Sequence, residues 1–184
     1  FNTLLPITTG SRNTGVGCNS LSSNTQGNGN TAMGDASLTT NTTGNYNTAI
    51  GQYSMRYNTT GANNTALGFY SLIDNTTASN NTAVGYYALR PNSSGYSNTC
   101  VGALTLYNNT TGYQNTAVGF QSLYSNSTGN NNTAVGFESL FNTTVGHNTA
   151  IGFRSLYSTT TGYDNTAVGM TSLYSNTTGG ENTV

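Results

Sequence analysis

Few side chains in this sequence suit acid–base, nucleophilic or metal chemistry, and their spacing keeps them apart. His147 is the one histidine. The acids Asp35, Asp74, Glu138, Asp164 and Glu181 fall in columns 6, 11, 7, 17 and 17 of the repeat described below, so they offer neither a convergent set in one groove nor the regular aspartates of a calcium-binding roll. A serine nucleophile should stand out from its neighbours, yet Ser37, Ser54, Ser71, Ser122 and Ser139 recur in phase, as a structural position does. Gly119 and its counterparts look like a fragment of a phosphate loop but lack the lysine and the following helix. The sequence therefore predicts no enzyme, no metal and no cofactor.

Charge excludes more. Only 5% of residues are charged, and the four cations are Arg12, Arg56, Arg90 and Arg154, too scattered to follow a phosphate backbone. No apolar run approaches the roughly 20 residues of a membrane-spanning helix. Nucleic acid and a membrane span are thus not expected. Cys18 and Cys100 lie five repeat units apart. At the ~4.8 Å spacing of neighbouring strands that is about 24 Å, beyond the reach of a disulfide. Two small buried thiols are expected, and they do not reveal a redox compartment.

These sparse groups are carried by a repeat. From Asn13 onward a unit reading N-T-A-V-G-aromatic-x-S-L-x-x-N-T-T-G-x-x returns every 17 residues, ten times, with the Asn132 unit shortened to 16 and an eleventh unit opening at Asn182. Numbering the unit as columns 1 to 17, Asn, Thr and Gly fill columns 1, 2 and 5 in all ten copies. Column 3 is Ala in eight copies and column 9 is Leu in nine, with Met55 in the other. Column 4 is always aliphatic or Met. So short a period, with no helical periodicity inside it, predicts an all-β chain: a β-solenoid, or β-roll, of ten 17-residue coils. Residues 1–12 read as a leader, cap or docking strand, and 13–184 as one continuous solenoid. The opening on Phe1 fits either a removed signal peptide or a fragment of a longer chain.

Column by column, Thr-Ala-Val-Gly-Phe alternates with the period of a strand. Columns 2, 4 and 6 share one face; Ala and Gly of columns 3 and 5 share the other, which either an opposite wall or a neighbouring chain must approach closely. Columns 8–10 read as a second short strand with Leu inward, and Asn-Thr-Thr-Gly of columns 12–15 as a turn. Stacking turns column 1 into an Asn ladder, columns 4 and 9 into buried Val and Leu ladders, and columns 6, 10 and 16 into stripes of aromatic rings. Val118 and Leu123 are both expected in the core, whereas column 7, as at Gln121, is expected to be exposed and tolerant.

Asn41, Asn58, Asn75, Asn92, Asn109, Asn126 and Asn176 each begin an Asn-x-Ser/Thr glycosylation pattern at column 12, on the expected turn, where a glycan would have room. The same letters are also plain turn chemistry. Leu4, Leu5 and Ile7 in the leader, and Asn182 and Val184 at the other end, are candidate assembly residues: apolar side chains at one end and unpaired strand groups at the other could join subunits end to end.

The core Asn115-Thr116-Ala117-Val118-Gly119 resembles the S-V-A-I-G core of YadA-like head repeats in trimeric autotransporter adhesins, and related repeats of bacterial and phage-type surface fibres. The resemblance spans residues 13–184. It implies a β-roll in which three chains lie side by side through small-residue faces, here columns 3 and 5. The unit of this chain is longer than that family's, and Thr stands where the family often has Val.

Together these features predict a non-catalytic extracellular or cell-surface protein, a segment of a self-assembling fibre or adhesin. Its partners would be copies of itself, end to end or as a side-by-side trimer, and host or surface glycans. The alternative is an ice-binding solenoid, for which column 2 supplies one Thr row. A glycan-degrading β-helix enzyme would need acids converging in a groove.

Overall fold

The computed structural model describes residues 9–184. The chain is an all-β solenoid. Ten three-residue strands, β1 (Thr14–Val16) to β10 (Thr166–Val168), one per coil at columns 2–4, form a single parallel sheet in sequential order. No helix occurs among the described residues. Register is column to column: Thr31 lies opposite Thr48, Ala32 opposite Ala49 and Met33 opposite Ile50. Thr166 and Thr183 bridge in the same way, and residues 9–12 already follow the coil path, with Thr9 N–H donating to Thr25 O at 3.1 Å.

The expected second strand at columns 8–10 is not one. Those columns are consecutive turns, and their leucines adopt positive φ, 53° at Leu123. Column 7 does the same, with φ of 53° at Gln121. Inter-coil bonding survives these bends because N–H groups point alternately up and down the stack. Gly119 and Gln121 donate back to Val101 O and Ala103 O at 2.8 and 3.1 Å, and Leu123 donates forward to Ser139 O at 3.0 Å. Left-handed backbone at a non-glycine residue costs about 1–2 kcal/mol, which the burial of a leucine, about 1.5–3 kcal/mol, offsets.

The core is thinner than the sequence suggests. Column 9 is inside as expected, Leu21 to Leu156 being fully buried. Opposite it, however, stands the Ala column, Ala32, Ala49, Ala66, Ala83, Ala117 and others, also fully buried. The expected burial of column 4 fails: Val16 is 51% exposed, Val168 is 57% exposed and Val118 only half-buried. A coil of 17 residues has room for one row of large side chains, and leucine takes it. The wall facing leucine must be Ala, which turns Thr, Val and the aromatic outward. The small-residue face of column 3 is therefore spent inside the coil and cannot serve as a lateral chain-to-chain contact. Gly119 of column 5, at φ 122°, is close-packed along the stack: a Cβ there would lie 2.5 Å from Gly136 O.

Two Asn columns close each coil. In column 1, Asn47 donates its backbone N–H to Asn30 Oδ1 of the coil before at 2.9 Å, while its Nδ2 reaches Gly61 O at 2.8 Å. In column 12, Asn58 Nδ2 reaches that same Gly61 O at 3.0 Å. One carbonyl, with two lone pairs, thus ties both ends of the coil together. The amide-to-amide bonds expected in column 1 occur there at four steps, Asn98 to Asn81, Asn115 to Asn98, Asn165 to Asn148 and Asn182 to Asn165, and a further ladder runs without a gap in column 12 from Asn24 to Asn109. It stops at Asn109, two coils before the shortened unit in which Thr143 stands in place of Asn, and Asn109 Oδ1, Asn126 Oδ1 and Thr143 Oγ1 are buried without partners.

Candidate functional site

The solenoid keeps the chemistry-bearing residues apart. His147 lies exposed in the bend before column 1, its backbone N–H on Asn130 O at 2.9 Å. Asp74 takes a hydrogen bond from Arg90 Nε at 3.1 Å, and Glu138 takes one from Arg154 Nε at 2.7 Å. The Glu138 bond raises the pKa of Arg154 further; at Arg90 partial burial works against the charge, and Asp74 outweighs it. Among the described residues no three His, Cys, Asp or Glu side chains gather as a metal set. Cys18 and Cys100 are free thiols, and burial pushes the Cys100 thiol far above its usual range.

The column 12 asparagines do not have the room that a glycan needs. Asn41, Asn58, Asn75, Asn92, Asn109 and Asn126 are fully buried, and Nδ2, the atom a glycan would occupy, is committed to hydrogen bonds inside the coil. The turn assignment is right, but these side chains point into it. Asn176, in the last full coil, is half-buried and donates to Gly179 O at 2.9 Å. Of the candidate assembly residues, Leu4, Leu5 and Ile7 lie outside the described residues. Asn182 and Val184 continue the register, Asn182 N–H donating to Asn165 Oδ1 at 3.1 Å and Val184 N–H to Thr166 O at 2.9 Å.

Two outer features remain as candidate sites. The first is the outward strand face, where Thr of column 2 and the aliphatic of column 4 form parallel rows, edged by the side chains of column 6, aromatic in five of the ten coils. Met33, Leu67, Val101, Phe120, Phe137 and Ile151 are all exposed on it. At ~4.8 Å per coil and ~3.3 Å per residue the strand columns 2–4 span about 43 by 7 Å. The sequence reading missed it by assigning Val inward; the signal was Ala alternating with Val beside an invariant Leu in so short a coil.

The second feature is the aromatic corner, where the expected stripes do form. Tyr107, Tyr124, Phe141, Tyr157 and Tyr174 stack along column 10 with centroids 5.1–5.3 Å apart. Phe120, Phe137 and Phe153 stack along column 6 at 5.5 and 5.3 Å. Arginines lie across the rings, Arg154 within 5.2 Å of Phe153 and Arg90 within 5.0 Å of Tyr87. No family model matches this chain, and no curated protein or solved structure is similar to it.

Proposed function

We propose that the chain is a non-catalytic structural protein, a segment of an extracellular self-assembling fibre or adhesin, and that its chains associate side by side through the Thr–Val–aromatic face. The observation that carries this reading is the outward column 4 row, an aliphatic or Met side chain partly or fully exposed in every coil, edged by column 6 rings in five of the ten. Burying such a row against a second copy removes apolar area at about 25 cal/mol per Å², and the strict repeat lets the contact extend along the stack. Columns 3 and 5, which the family resemblance implied as the contact, are not part of this interface.

The test is sedimentation velocity on the whole chain and on the double variant Val101→Lys, Val118→Lys. Parent protein should sediment as an oligomer. The variant should sediment as a monomer with an unchanged β-rich circular dichroism spectrum. A parent that stays monomeric at high concentration, or a variant that still associates, removes the proposal.

One observation favours a second reading, ice binding. The column 2 threonines face outward in register beside the aliphatic row, as at Thr65 and Thr99, which are exposed. Thermal hysteresis in the parent, lost in Thr99→Lys, would select this reading over the first.

A further inference from the structure

Between Tyr86 and Phe120 the ring stripe of column 6 is interrupted at Ala103, and the column 8 serines give way to Ala88 and Thr105. Column 10 supplies Arg90 here, as it supplies Arg56 two coils earlier, and the variable column 11 supplies Asp74. Beside this interruption lies a cavity of about 390 Å³ lined by Tyr86, Tyr87, Arg90, Leu104 and Tyr107.

The shape follows from the residues. Tyr86 stacks on Phe69 on one side, with centroids 5.8 Å apart and planes 7° from parallel. On its other side the next coil supplies only Ala103, so the ring face that would be covered in a continuous stripe is open, and Tyr86 is 53% exposed. Tyr87 stands edge-on to Tyr86 at 4.4 Å, and Tyr107 closes the far side 6.3 Å from Tyr87. Arg90 is fixed by Asp74 through Nε alone, at 3.1 Å, which leaves the N–H groups of its two terminal nitrogens for another acceptor. Because Asp74 already compensates the charge, the site favours a neutral ligand rich in hydroxyl oxygens over an anion. An open aromatic face, neighbouring phenol hydroxyls and a charge-compensated fork of donors together match a pyranose: its axial C–H groups lie on the ring and its hydroxyls accept from the guanidinium.

We propose that this notch is a saccharide subsite that takes a neutral pyranose ring against Tyr86, with Arg90 as the donor to its hydroxyls. It names a ligand class for the adhesin reading, yet it needs no association between chains. The two therefore fail separately, one by sedimentation and the other by ligand titration.

The experiment is saturation-transfer NMR on the full chain with the methyl glycosides of glucose, galactose, mannose and N-acetylglucosamine, with methyl glucuronide as the anionic comparison. At least one neutral glycoside should bind, with a Kd of about millimolar order as expected of a single shallow ring contact. Ala103→Phe restores the ring that the repeat prefers at column 6 and fills the notch without disturbing the coil. It should abolish the signal while the melting curve stays as in the parent. Tyr86→Ala should also abolish it, and Tyr163→Ala, an exposed tyrosine on another column, should not. Absence of binding by all four neutral glycosides, undiminished binding in Ala103→Phe, or a preference for the glucuronide would overturn the proposal.

Discussion

Asn58 donates its Nδ2 to Asn41 Oδ1 at 2.8 Å, one coil away, and its own Oδ1 accepts from Asn75 Nδ2 at 2.8 Å. With the bond to Gly61 O, this buried amide makes three hydrogen bonds. Asn126, in the same column, makes one, to Gly129 O at 3.0 Å, and its Oδ1 has no partner. Asn58→Ala should therefore destabilise more than Asn126→Ala, by about 2–3 kcal/mol, because each lost bond costs about 1 kcal/mol and the groups left behind in Asn41 and Asn75 lose their partners. Urea midpoints of the two variants measure this. Equal midpoints would mean that the ladder contributes geometry and no stability. Unfolding of stacked repeats need not be two-state, so the comparison rests on midpoints.

Column 7 gives a prediction opposite to its expected tolerance. Gln121 sits at φ 53°, so the backbone penalises a β-branched residue and favours glycine. Gln121→Val should destabilise by about 1 kcal/mol or more, whereas Gln121→Gly should be neutral or slightly stabilising. Gly119→Ala should be worse than either, because φ is 122° and the added methyl meets Gly136 O at 2.5 Å. Thermal melts that rank the three differently would show that the coils relax around these positions.

The solenoid itself was legible in the sequence because a 17-residue period has one simple structural cause, stacking in register. The inward leucine and the aromatic stripes were legible for the same reason, since like side chains stacked one above another need a core or each other. What could not be read was direction. Alternation at Thr116-Ala117-Val118 tells that Ala and Val oppose each other, not which of them faces Leu123. Hydrophobicity argues for Val inward, and the narrowness of the coil overrides it. The bend through columns 8–10 was read as strand because positive-φ residues that are not glycine leave no mark in composition. The column 12 asparagines were placed at the surface because Asn-Thr-Thr-Gly is good turn chemistry in either orientation. The notch at Ala103 was visible as a broken column, but only the placement of Arg90 and Tyr107 around it makes a cavity.

The thiols offer a check on the coil's inner wall. Cys100 replaces Ala in column 3 and is fully buried, with its pKa driven up by desolvation; Cys18 lies in column 6 and is partly exposed. A neutral thiol out of contact with water is a poor nucleophile. At neutral pH, iodoacetamide should label Cys18 in the native protein and Cys100 only after denaturation. Rapid native labelling of Cys100 would place column 3 on the surface.

The orientation of the whole coil is tested by one pair, Leu123 and Val118. Leu123 is fully buried beneath the Ala wall, and no polar group is placed to receive a smaller or charged replacement. Leu123→Ala should cost about 2–5 kcal/mol, the range for emptying a buried leucine site. Val118 is half-buried on the outer face, so Val118→Ala removes little that folding has withdrawn from water and should cost under about 1 kcal/mol in the isolated chain. The two should differ again in concentration dependence. If the outer face is the contact between chains, the melting temperature of Val118→Ala should fall further below the parent as protein concentration rises, since only the parent gains from association. The deficit of Leu123→Ala should stay constant across the same series. A Val118→Ala deficit independent of concentration would leave the coil as described and remove the outer face from assembly, whereas a Leu123→Ala protein as stable as the parent would turn the coil inside out.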